Sequence, residues 1–180
     1  MKEISLNILD ITENSVKAGA SLTEIYICES DTELILTIKD NGHGMDEETV
    51  RSVTDPFYTT RTTRKVGLGI PLLKLACEQT GGNLSITSSK DADKHGTTVK
   101  ALYKKDHIDF TPLGDVTSSI VTLIQGHPDT DFLFRHTVNG AEVELDTREL
   151  RTVLEDVPLD TYEVICWIRE NLQEQYSAIN

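Results

Sequence analysis

The feature that most restricts how this chain folds is Asp40-Asn-Gly-His-Gly44, which follows directly on Leu34-Ile-Leu-Thr-Ile38. The apolar, β-branched run reads as a strand, and the Asp-Asn pair with two glycines forces a sharp turn at its end. Two further glycine signals follow: Gly67-Leu-Gly69 heads an apolar run that reads as a helix to about Thr80, and Gly96-Thr97 leads into Thr97–Tyr103. Around them, Ile8–Ala18 reads as a helix ending at Gly19, Ile25–Cys28 as a strand, and Asp46–Val53 as a short helix. Gly81-Gly82 stops the later helix, and Leu84–Ser88 and Thr97–Tyr103 alternate like paired strands around a turn at Asp91–Gly96. Residues 1–105 therefore predict an α+β fold: an α/β sandwich with helices on one face of a largely antiparallel or mixed sheet.

Past Lys104-Lys105 the pattern changes. Ser119–Ile124 and Asp131–Val138 read as strands, and Asn139-Gly140 before Glu142–Leu145 is a strong hairpin signal. Asp146-Thr-Arg-Glu149 and Asp160-Thr-Tyr-Glu163 resemble capping boxes opening two helices, separated by Pro158. Residues 106–180 are thus expected to be a small α+β appendage. The charge also shifts here: residues 1–105 hold 13 Lys and Arg against 15 Asp and Glu, whereas 106–180 hold 4 against 15.

That acidity repels phosphate backbones and argues against nucleic-acid binding. No run approaches the roughly 18 continuous apolar residues of a membrane span. The N-terminus lacks the apolar core of a signal peptide, so a cytoplasmic location is expected. Cys28, Cys77 and Cys166 are odd in number and far apart, which suits neither a disulfide framework nor a zinc site.

Four local arrangements carry chemistry. Asp10 and Asn14, four residues apart, share a helix face; they are either solvated positions or hard oxygens for Mg²⁺ and an attacking water. Asp40 at a strand end is either part of a tight turn or an acceptor for an exocyclic amine, with Gly42 and Gly44 letting backbone pass close to a planar ring. Gly67-Leu68-Gly69 at a helix start leaves unpaired N–H groups that attract phosphate. Thr97 offers a hydroxyl to brace Asp40.

Taken together and in order, these segments resemble the boxes of the GHKL (Bergerat-fold) ATP-binding superfamily: histidine kinases, anti-sigma-factor kinases, mismatch-repair ATPases, type II topoisomerases and a heat-shock chaperone class. Ile8–Ala18 looks like the N box, Asp40–Gly44 the first glycine box, Gly67–Gly69 the second and Gly96-Thr97 the third. Asp55-Pro-Phe-Tyr-Thr-Thr-Arg61 resembles the phenylalanine box of one histidine-kinase group. The resemblance covers about residues 4–104 and implies ATP and Mg²⁺ as ligands. It places Asn14 on the metal, Asp40 on the adenine amine, Gly42 and Gly44 beside the base, Gly67, Leu68 and Gly69 at the phosphates, and Thr97 near the adenine. Asp10 falls where a general-base Glu stands in the ATPases and anti-sigma kinases; Glu13 is the second candidate. Lys65 is either a point charge on the terminal phosphates or a surface lysine, and residues 55–66 match the ATP lid.

No phosphoacceptor-His helix pair precedes the N box in this sequence, and His43, His95, His107, His127 and His136 lie outside such a context. Three functions fit: a stand-alone kinase passing the γ-phosphate to a separate protein partner, a conformational ATPase, and a nucleotide-sensing interaction module. The kinase is the leading expectation.

Overall fold

The computed structural model describes residues 3–54 and 69–179. Lys65, Gly67, Leu68 and the stretch matched to the lid lie outside the described residues. Helix α1 spans Ile4–Lys17 and buries Ile4, Ile8 and Ile11 at helical spacing. It starts four residues before the expected Ile8. The first-turn N–H groups of Ile4 and Ser5 donate to the carbonyls of Pro112 (3.2 Å) and Leu113 (2.8 Å), partners that a local reading does not contain.

Strands β1 (Leu22–Glu29) and β2 (Glu33–Asp40) form an antiparallel hairpin, and α2 (Glu47–Thr54) follows the glycine turn. Then come α3 (Gly69–Gln79), β3 (Asn83–Ser89) and β4 (Gly96–Lys104). The remaining elements are α4 (Val116–Gly126), β5 (Asp131–Val138), β6 (Ala141–Asp146), α5 (Thr147–Leu154) and α6 (Tyr162–Ile179). One six-stranded sheet runs in the order β3-β4-β2-β1-β5-β6. All neighbours are antiparallel except β1 and β5. Ile25 and Ile27, Leu34, Leu36 and Ile38, and Val99, Ala101 and Tyr103 alternate into the core. Helices α3, α1, α4 and α6 contact one another in that order over this layer, giving the expected helix-covered mixed sheet.

Two expectations change. Ser119–Ile124, read as a strand, is the middle of helix α4. Val116, Ile120, Val121, Leu123 and Ile124 are all buried along it, and Asp115 caps it by accepting from Ser118 N–H at 3.0 Å. The cap and a helical stripe packed on α1 outweigh the β propensity of Ile-Val-Thr. In addition, the stretch set apart as an appendage shares sheet and core with the first 105 residues: β5 pairs in parallel with β1 from Leu22↔Asp131 to Glu29↔Val138. The change at residue 105 is therefore a change in surface charge, not an end of the sheet.

At the end of the β1–β5 pair, His136, only 2% exposed, bonds the Glu29 carboxylate (2.5 Å) and the Tyr176 hydroxyl (2.7 Å). Lys105 adds an ion pair to Glu29 at 3.1 Å. The hydrogen bond from His136 holds the Glu29 carboxyl below its ordinary value, and burial pushes the Tyr176 hydroxyl up. This cluster ties α6 to the sheet at the end opposite Asp40.

Candidate functional site

Asp40 is the last residue of β2, and three donors from three elements fix its carboxylate. Ser15 Oγ on α1 donates to Oδ2 at 2.7 Å. Gly42 N–H in the turn and Thr97 N–H on β4 donate to Oδ1 at 2.9 and 3.3 Å. Oδ1 is saturated by backbone, while Oδ2 has used one of its lone pairs on Ser15 and keeps acceptor capacity. These three donors hold the carboxylate in one orientation.

The turn presses against α1. A Cβ on Gly42 would sit 2.8 Å from both Cβ and O of Ala18 and 3.1 Å from Asp40 Oδ1, so only glycine fits without displacement. Gly44 has φ +77°, and a Cβ there would meet Ser89 O at 1.8 Å. Two histidines hold the main chain: His95 Nδ1 bonds Gly42 O at 2.7 Å, and His43 N–H donates to Ala18 O at 2.9 Å.

Between α1, the turn and β4 lies a cavity of ≈ 190 Å³. Ile11, Met45, Val53, Ile70 and Val99 supply apolar walls; Asn14, Asp40 and Thr97 supply polar groups; Lys17 and His43 also line it. An apolar slot with one fixed acceptor suits a planar heterocycle carrying an exocyclic amine.

Of the residues singled out in the sequence, Asn14, Asp40, Gly44 and Thr97 line this cavity, and Gly42 lies buried beside it. Gly69 opens α3 against α1: a Cβ there would be 3.4 Å from Asp10 Cβ and 3.8 Å from Asn14 Nδ2. Asp10, half-buried, stands beside that helix start and not in the cavity wall. Thr97 braces Asp40 through its backbone N–H; its hydroxyl goes to Ser88 Oγ at 2.7 Å, a correction to the expected role. Glu13 turns to the other flank of α1, where its carboxylate meets His127 Nε2 at 2.8 Å.

Two contributors were not legible as site residues. Ser88 Oγ accepts from Met45 N–H at 2.7 Å and donates to Gly96 O at 3.1 Å, joining the first and third glycine segments. Lys17, one turn past Asn14, brings a cation to the cavity. Its spacing to Asn14 was the available signal.

Residues 2–107 match the family model described as histidine kinase-, DNA gyrase B-, and HSP90-like ATPase. The chain belongs to this family. The Bacillus subtilis sensor histidine kinase YvrG is 33% identical over 98 residues, which is 51% of this chain and 16% of that protein. Sporulation kinase C of the same organism is 27% identical over 88 residues, 49% of this chain and 20% of that kinase. The match thus spans a fifth or less of these relatives' length. Among solved structures, the Aquifex aeolicus MutL ATPase domain complexed with ADP has a TM-score of 0.52 at 16% identity, covering 86% of this chain and 70% of that one. The N-terminal domain of a DNA repair protein gives a TM-score of 0.56 at 17% identity, with coverages of 81% and 53%. These two establish likeness of fold over most of the chain.

Family membership implies ATP as the ligand. For a divalent ion, no group of three or more His, Cys, Asp or Glu side chains among the described residues is placed to form a cage. One hard oxygen from Asn14, with phosphate oxygens and water supplying the rest, fits the way magnesium is usually held with nucleotides. Among the described residues no helix is long and apolar enough to cross a membrane.

Proposed function

We propose that the chain binds Mg-ATP in this cavity and transfers the γ-phosphate to a separate protein in the cytoplasm. The observation that carries the reading is the Asp40 carboxylate, fixed by Ser15, Gly42 and Thr97 at the base of an apolar slot. Asp40 accepts from the adenine amine, and the apolar walls cover the ring. Asn14 is the residue that would hold magnesium, which when bound neutralises charge on the phosphates. Lys17 and the N-terminus of α3 at Gly69 face the same phosphates. An acceptor atom on the partner attacks the γ-phosphorus, the bond to the β–γ bridging oxygen breaks, and ADP leaves. Asp10, beside Gly69, takes the acceptor's proton. The kinase relatives support this choice.

A second reading has water in place of the acceptor, with Asp10 as its base and release of inorganic phosphate. Its support is the same carboxylate, four residues before Asn14 and next to the α3 start. Incubation with γ-labelled ATP, alone and with cell extract, separates the two. Transfer predicts a labelled protein band that needs extract and is suppressed by Asp10→Asn. Free phosphate from the isolated chain, falling about 10²–10⁴-fold in Asp10→Asn, would instead establish hydrolysis. With neither product, the chain is a nucleotide sensor and the transfer reading fails.

A further inference from the structure

The corner where α5 passes into α6 carries exposed apolar side chains that the nucleotide site does not use. Val153 is 81% exposed, Tyr162 78%, and Trp167, the sole tryptophan, 49%. Val157 between them is also exposed. Tyr162 and Trp167 lie about 140° apart around α6 and flank Glu163.

The charge at this corner is of one sign. From Thr152 to Ile168 there is no lysine or arginine, while Glu155, Asp156, Asp160 and Glu163 are all exposed. The nearest arginines are engaged elsewhere: Arg148 with Asp146, Arg151 with Asp131, and Arg169 with Ser118. Among the described residues no ion pair involves those four carboxylates. The connection carries backbone hydrogen bonds from Glu155 N–H to Arg151 O at 2.9 Å and from Val157 N–H to Leu154 O at 3.1 Å.

Large amphipathic rings left exposed, with aliphatic side chains exposed on the same helix–turn–helix connection, are typical of the anchoring residues of a protein interface. Four unneutralised carboxylates repel nucleic acid and anionic membrane, and they attract a cationic partner. We propose that the α5–α6 corner docks a cationic amphipathic segment of another protein, its apolar side chains against Val153, Tyr162 and Trp167 and its Lys or Arg against the surrounding carboxylates. The site does not depend on whether phosphate is transferred, because none of these residues lines the nucleotide cavity.

Trp167 reports on the surface directly through its fluorescence. The full chain is titrated with three synthetic peptides of equal length: one alternating Leu and Lys clusters, one with Glu for Lys, and one with Ser for Leu. The Leu–Lys peptide is expected to shift Trp167 emission and to bind at least roughly tenfold more tightly than either control. In the variant V153S/Y162S, which keeps the charge and changes only exposed positions, affinity for that peptide should fall at least roughly tenfold with the melting temperature unchanged. Equal binding of the Ser–Lys peptide, or an unaffected double variant, would reduce the contact to bulk electrostatics and overturn the proposal. Emission that changes with protein concentration alone, together with dimer in sedimentation, would make a second copy the occupant and also overturn it.

Discussion

Asp40→Asn separates the site's architecture from its ligand chemistry. In the variant the remaining side-chain oxygen can still accept from Gly42 and Thr97 N–H, as Oδ1 does now. The new amide then takes the place of Oδ2, and the Ser15 hydroxyl, 2.7 Å away, can rotate to accept from it. Folding should therefore change by no more than one ordinary hydrogen bond, about 0.5–1.5 kcal/mol. The ligand meets a different group: a donor now faces the adenine amine where an acceptor stood. Losing that bond and leaving a donor unsatisfied costs about 1–3 kcal/mol, or roughly 5- to 150-fold in Kd. Calorimetry with ATP, beside a urea melt of the same sample, measures both. A folded Asp40→Asn variant with wild-type ATP affinity would refute the adenine assignment.

Asn14→Ala should abolish the magnesium-dependent part of ATP binding and leave adenosine binding unchanged, because only the phosphates meet the metal; titrations with and without Mg²⁺ check this. Glu29 has a folded-state pKa below its ordinary 4.5, first through the hydrogen bond from His136, so its stabilisation is present above about pH 4.5 and is lost as pH falls through the folded value. Accordingly, Glu29→Gln should be less stable than wild type in urea at neutral pH, and the two curves should converge on acidification below about pH 4.5. Cys77, buried and pushed up to about 11 by that burial, should stay unmodified by iodoacetamide in the native chain while exposed Cys28 reacts.

What could be read from the sequence was local. The Asp40–Gly44 turn, Asn14 one helical turn from Asp10, and the Asn139-Gly140 hairpin are set by neighbouring residues; Asn139 and Gly140 do adopt φ of 48° and 90°. What could not be read depends on contacts distant in sequence. Strand β5 joins β1 across more than a hundred residues, and parallel pairing leaves no mark in turn chemistry. Glu13 stands as the second candidate beside Asp10 on sequence grounds, but His127, 114 positions away, draws it to the other flank. Thr97 offered a hydroxyl, yet its backbone N–H reaches Asp40, because Ser88 on the neighbouring strand takes the hydroxyl. Helix α4 carries Ile-Val-Thr, which locally favours a strand, and only the packing of its apolar stripe on α1 makes it a helix.

The central claim is that the nucleotide sits between α1, the Asp40–Gly44 turn and the start of β4. Titrating ¹⁵N-labelled protein with ADP and following its amide resonances tests that location residue by residue. The account predicts saturable shifts at Ser15, Gly42, Gly44 and Thr97, with Glu29, His136 and Tyr176 at the far end of the sheet unmoved. Shifts confined to that far end, or none at ADP concentrations that saturate related ATPases, would contradict it.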